Sequence, residues 1–286
     1  MNKMQIEDLK LLLERLHVKP NKNLGQNFLI DENITSKIIS KSKISESDTI
    51  LEIGAGLGAL TKELVKLPNN ILTYEIDPKL YEYLKQRFQD HENVQIFNED
   101  ILTANIPFHD KVISNIPYTI TGPIFEKIFY KNNAPSGVLI IEKSLADRLY
   151  NENIYDKISR ITISFNSFME LTHQSDISPQ CFHPAPKIEL SLITIQPKKQ
   201  VNEFLKTNET RTFYLDFIAG IMPYKNKSIL NAIKLYLKRE SVMHVTNDQI
   251  LRVLNQIDVK NTKVFKIRIN DFINVSKELH KLIASV

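Results

Sequence analysis

The chain has 286 residues, 42% of them hydrophobic and 24% charged, which is the balance of a soluble globular protein of one large or two ordinary domains. A single cysteine, Cys181, excludes a disulfide framework and a Cys-rich zinc site. The net charge of +4 is unevenly spread: 17 Lys+Arg face 9 Asp+Glu from Cys181 onward, whereas 20 face 24 before it. The basic back half points either to a polyanionic partner or to a lysine-rich solvated surface. The opening "MNKMQIEDLKLLLERLHVKP" is charged throughout and lacks the apolar core of a signal peptide. No stretch approaches the roughly 18 apolar residues of a membrane span. A soluble, cytoplasmic protein without membrane contact is expected.

In chain order, leucines at helical spacing predict a helix over 5–17, broken by "VKPNKN". Short apolar runs predict strands at 49–54, 71–77, 94–100 and 111–115, with helices after the first, second and fourth. Pro78 stands where a helix favours proline, at its first turn. Further strands are predicted at 137–143, 160–168 and 188–197, the last alternating as a half-buried strand should. Strands alternating with helices imply an α/β fold with a parallel, doubly wound, Rossmann-like sheet. Past residue 200 the strands cease and four helical patterns follow. The expected organisation is an N-terminal extension plus α/β domain over 1–198 and a small all-helical domain over 199–286.

The chemistry-bearing residues fall at predicted strand ends, where open α/β sheets bind ligands. In "EIGAGLG", Gly54, Gly56 and Gly58 lie between a strand and a helix, where small residues let a nucleotide cofactor approach the backbone. A plain tight turn is the alternative. The spacing is neither the G-x-G-x-x-G of nicotinamide binding nor a phosphate loop. Glu75, about twenty residues on, can accept both hydroxyls of a ribose. Asp100, in "NEDIL", can accept from an adenine amino group or serve as a cap. Together the three describe an adenosine cofactor without pyrophosphate, and S-adenosylmethionine fits. The fourth feature is "SNIPY", 114–118. Pro117 ends the strand. Asn115 then offers a carbonyl to an exocyclic amine, and Tyr118 offers a π-face to a base.

These stretches, in this order, resemble the rRNA adenine N6,N6-dimethyltransferases, most closely the small-subunit (KsgA-type) branch, which is related to the Erm methyltransferases. "KNLGQNFLID" (22–31) is similar to the family's N-terminal signature, "CFHPAPKIELSLITIQP" (181–197) to its F-x-P-x-P-K-V segment, and "NKSILNAI" (226–233) and "KVFKIRINDF" (263–272) to its C-terminal helices. The likeness spans about residues 15–275. The helix before the signature and the chain's ending look archaeal.

The resemblance implies S-adenosylmethionine as methyl donor, with S-adenosylhomocysteine as product. Gln26, Asn27 and Leu29 would close over the methionine end, and Gly54, with Gly56, would pass beneath it. Glu75 with Ile76 would hold the ribose, and Asp100 with Ile101 the adenine. Asn115, Ile116, Pro117, Tyr118 and Phe182 would form the catalytic pocket. Asn115 would serve both cofactor and target, and Tyr118 and Phe182 would sandwich an extruded adenine. Carbonyls of Asn115 and Ile116 would accept from the target amine, free its lone pair, and leave positioning to supply the acceleration. No metal and no strong base is called for. The implied partner is small-subunit rRNA in an immature small ribosomal subunit, and a monomer is expected. Thr119, Thr121 and Gly122 depart from the family's pattern, as do Ile141–Ser144 and Ile158–Thr162; these bear on target choice. The alternatives are an Erm-like large-subunit enzyme and an assembly or RNA-binding factor without turnover.

Overall fold

Four consecutive buried residues, Ile50–Ile53, form a strand with neighbours on both sides and cover on both faces. This strand, β2, lies near the centre of a seven-stranded sheet in the computed structural model, which describes residues 3–21, 24–150 and 158–285. Lys22 and Asn23, the first two residues of the signature, lie outside that set.

Helix α1 spans Lys3–Arg15, β1 Phe28–Leu29 and α2 Glu32–Ser42. After β2 come α3 (Thr61–Leu64), β3 (Ile71–Tyr74), α4 (Pro78–Arg87), β4 (Val94–Phe97), β5 (Lys111–Asn115), α5 (Thr121–Phe129), β6 (Ser136–Glu142) and α6 (Lys143–Tyr150). Then follow α7 (Arg160–Phe168), β7 (Met169–Ile177), β8 (Phe182–His183) and β9 (Leu190–Pro197). The large sheet runs β4-β3-β2-β5-β6-β9-β7. β4 to β6 are parallel, and β9 is antiparallel to β6. The order reverses across β2 and β5, so their carboxyl ends open a crevice at the switch point.

Two findings differ from the sequence-based expectation. Residues 160–168 form a helix, α7, and not a strand. Ser159 caps it by accepting from the Thr162 N–H, and every residue from Thr162 to Phe168 is buried. A helix buried on nearly all sides, here with Thr162, Ser164, Asn166 and Ser167 among its buried residues, has no solvent-facing period to read, and its β-branched residues mimic a strand. The actual strand, β7, is the next segment, at the sheet's edge, with Glu170, Thr172, Gln174 and Asp176 masking its pattern. Secondly, β1 and β8 form a small antiparallel sheet pairing Phe28 with His183 and Leu29 with Phe182. Two-residue strands carry no periodicity.

The chain divides into two compact units. The first holds Met1–Phe129, Asn133–Asp147 and Leu171–Pro197, hence the crevice. The second holds Tyr130–Asn132, Arg148–Glu170 and Lys198–Val286. In it α7 packs with α8 (Asn208–Ile221) and α11 (Ile269–Ala284), beside α9 (Ile229–Arg239) and α10 (Asn247–Gln256). Tyr214, Phe217 and Phe272 fill its core. Thr207, Ser228 and Thr246 cap the starts of α8, α9 and α10. Among the described residues no helix is long and apolar enough to cross a membrane.

Candidate active site

The strand β2 ends at Ile53, and the chain turns through Gly54 and Gly56 at φ of +68° and +60°, a region that side chains disfavour. The turn is tied to β3: Gly54 N–H donates to the Tyr74 carbonyl at 2.8 Å, and Gly56 N–H donates to Glu75 Oε2 at 2.8 Å. The other carboxylate oxygen of Glu75 accepts from Asp77 N–H at 2.9 Å. Two backbone donors thus fix the Glu75 side chain at the crevice. Burial nonetheless raises its pKa, the hydrogen bonds offsetting only part of that.

A cleft opens here, at the carboxyl ends of β2, β3 and β5. Gln26, Asn27, Leu29, Gly54, Gly56 and Glu75 line it. Ile76 lies at its edge, 46% exposed, an apolar surface that a flat ring would cover. Asn115 and Pro117 also border it. Asp100, Ile101, Ile116, Tyr118 and Phe182 do not line it. Asp100 lies three residues past β4, where its carboxylate accepts from Leu102 N–H at 2.9 Å.

The signature segment folds over the cleft and is held at three points. Gln26 Nε2 donates to Asp77 Oδ2 at 2.9 Å. Gly25, at φ +64°, packs so close to Pro117 that an added Cβ would lie 3.2 Å from the proline Cβ. Asn115 Nδ2 donates to the backbone carbonyl of Asn27 at 3.1 Å. This last bond settles which way the Asn115 amide faces. Its Oδ1 is buried and has no hydrogen-bond partner among the described residues. An orphaned buried carbonyl costs about 1–3 kcal/mol, and such a cost is tolerated where a ligand supplies the missing donor. Beside it, Tyr118 packs against the apolar cluster that contains Phe182. The Tyr118 hydroxyl is buried without a partner, and burial pushes its pKa up. Phe182 is only 2% exposed, paired with Leu29 through β8.

Three contributors escaped the sequence reading. Glu52 lines the cleft and is 1% exposed, accepting from Thr61 Oγ1 at 2.7 Å and Thr73 Oγ1 at 3.1 Å. Burial pushes its pKa up to about 7. An acid within the run Ile-Leu-Glu-Ile was the available signal. Asp77 both caps α4 and anchors Gln26; Asp-Pro at a helix start gives away the first role only. Gly25 carried no signal beyond its place in the signature.

The family model for ribosomal RNA adenine dimethylase matches residues 17–281. A ribosomal RNA small subunit methyltransferase A from Malacoplasma penetrans is 32% identical over 79% of this chain and 82% of its own length. An rRNA adenine N-6-methyltransferase from Bacteroides fragilis is 31% identical over 83% of this chain and 88% of its own. Among solved structures, a dimethyladenosine transferase from Plasmodium falciparum superposes with a TM-score of 0.74 at 25% identity, covering 89% of this chain and 98% of that one.

Proposed function

The chain belongs to the ribosomal RNA adenine dimethylase family, and from that premise we propose that it dimethylates the N6 amine of adenines in small-subunit rRNA, using S-adenosylmethionine. The observation that carries the reading is the buried, unpartnered Asn115 Oδ1 at the border of a cleft that fits the cofactor. The fit rests on the positive-φ glycine turn and the backbone-held Glu75. Bound S-adenosylmethionine supplies an electrophilic sulfonium methyl.

The chain's own residues orient and desolvate. Glu75 has free lone pairs for ribose hydroxyls, Ile76 and Asp100–Ile101 flank the base, and Gln26, Asn27 and Leu29 cover the methionine end over Gly54 and Gly56. An adenine amine is a weak nucleophile because its lone pair is delocalised into the ring. Asn115 Oδ1, with the Ile116 backbone carbonyl as second acceptor, draws on the N–H groups and favours a pyramidal nitrogen. Pro117 fixes the turn. Tyr118 and Phe182 clasp the extruded base, Phe182 by turning out of the cluster it shares with Tyr118. Stacking of about 1–3 kcal/mol per base offsets the unstacking cost. The proton departs to solvent after transfer. The reading extends to a monomeric cytoplasmic enzyme acting on an immature small subunit.

A large-subunit target is the second reading, left open because the Bacteroides fragilis relative, of similar identity, is named as an rRNA adenine N-6-methyltransferase with no subunit specified. Labelled cofactor offered with undermethylated small or large subunits separates the two. Label entering small-subunit rRNA alone is expected; label entering only the large subunit would reverse the assignment.

A further inference from the structure

Two loops carry the groups read as facing the cofactor's adenosine, and each is braced by one side chain. Asn98 Nδ2 donates to the carbonyls of Glu75 and Ile76 at 2.9 and 3.2 Å. Lys127 Nζ donates to the carbonyls of Leu102 and Ala104 at 2.9 and 2.7 Å. The second brace is the less expected. The turn after Asp100 closes on that residue alone: Leu102 N–H donates to its carboxylate, and the Thr103 and Ala104 N–H groups donate to its carbonyl at 3.0 and 2.9 Å. No strand holds the turn. Ile101 and Ala104 bury their side chains, and the turn's side-chain hydrogen bonds to the rest of the first unit come from a half-buried ammonium that has no ion-pair partner among the described residues. Lys127 sits on α5, whose first residue, Thr121, follows the Asn115–Tyr118 segment by three positions. One cation therefore joins the helix behind the target-base turn to the loop read as meeting the cofactor's adenine.

We propose that Lys127 is a positioning residue for the cofactor's adenine, its ammonium holding the Asp100–Ala104 turn where Asp100 and Ile101 meet the base. This rests on the reading of the cleft as a S-adenosylmethionine site. A spectator lysine on a helix surface would be solvated and replaceable. A brace is not, because removing it frees a loop whose position sets affinity without touching the reacting atoms. The consequence is a split: cofactor binding suffers and turnover at saturation does not.

The test uses the full chain with Lys127→Met, which keeps an apolar stem and loses the donors, and Lys127→Arg, whose guanidinium can reach two carbonyls. Calorimetry reads S-adenosylhomocysteine binding, and kinetics read KM for S-adenosylmethionine and kcat separately. Lys127→Met should weaken binding and raise KM by about tenfold, the scale of one lost charge-assisted hydrogen bond. Its kcat at saturating cofactor should stay within about twofold, and Lys127→Arg should restore most of the affinity. Unchanged affinity in Lys127→Met, or a fall in kcat at constant KM, would overturn the proposal. If Lys127→Met does not fold, Lys127→Gln is read by the same criteria. Wild-type chain that binds no S-adenosylhomocysteine would overturn the cofactor reading itself, and this proposal with it.

Discussion

At Asn115 the structure spends one amide hydrogen bond on orientation and leaves one amide oxygen buried and unpaired. If that oxygen draws the target amine toward a nucleophilic geometry, Asn115→Ala should lower kcat by on the order of 10²-fold, the scale of one preorganised polar group. S-adenosylhomocysteine affinity should change only a few-fold. A cofactor-binding loss as large as the rate loss would place the residue in cofactor binding alone. Glu52 gives a prediction of another kind. Its pKa rises from an ordinary 4.5 to about 7 through burial. Between these values the folded chain holds a proton that the unfolded chain has released. Stability therefore declines as pH rises from about 4.5 to 7 and is level above, by about 3 kcal/mol in total. Glu52→Gln keeps an oxygen for the Thr61 and Thr73 hydroxyls without the charge. Urea unfolding at stepped pH should find its stability gaining on wild type through that window; parallel profiles would contradict a buried ionisable Glu52. The position of Glu75 and Asn115 at the cleft was legible in the sequence because both are polar residues at predicted strand ends, where open α/β sheets bind ligands. The burial of Phe182 was not, since it follows from pairing with a segment about 150 residues away.

Among the elements, the signature loop matters most to the site, and packing rather than propensity shapes it. Gly25 lies against Pro117 at a φ that costs other residues about 1–2 kcal/mol. Gly25→Ala should shift the loop, misorient the Asn115 amide and lower kcat by about tenfold or more. Gly122→Ala is the control, since a Cβ there meets nothing within 4 Å, and its kcat should hold. Equal kcat values would remove the loop from catalysis. Helix α1 supports the same wall from behind. Its Leu13 is buried in a cluster with Phe28, Leu57 and Leu80, all three of which line the cleft. Leu13→Ala should cost about 2–4 kcal/mol and weaken cofactor binding; full affinity in the variant would separate the helix from the site. The strands β2, β3 and β5 could be read because central parallel strands are near-continuous apolar runs. Helix α7 and the edge strand β7 exchanged their signatures: the helix is buried all round, and the strand is half polar. Only tertiary context distinguishes such segments.

For the whole molecule, charge and chemistry are divided along the chain. The residues before Cys181 are net acidic and contain the cleft's lining; those from Cys181 on are net basic. If the basic part meets rRNA phosphates, binding to small subunits should weaken by about 10³-fold or more between about 50 and 200 mM salt, and a flat response would remove that contact. The alternation of strands and helices, with four helical patterns at the end, made the overall plan legible. The composition of the second unit was less so, because Arg148–Glu170 joins it from the middle of the chain, a grouping that depends on contacts distant in sequence. The central claim, that an orphaned amide carbonyl beside a S-adenosylmethionine cleft directs methyls onto adenine N6, is tested most directly by mass analysis of adenosines. The substrate is small-subunit rRNA lacking dimethyladenosine, treated with cofactor and either wild-type chain or Asn115→Ala. The account predicts N6,N6-dimethyladenosine with the wild type and nearly none with the variant. Dimethyladenosine in equal amounts from both, or no methylated adenosine from a wild type that binds cofactor, would contradict it.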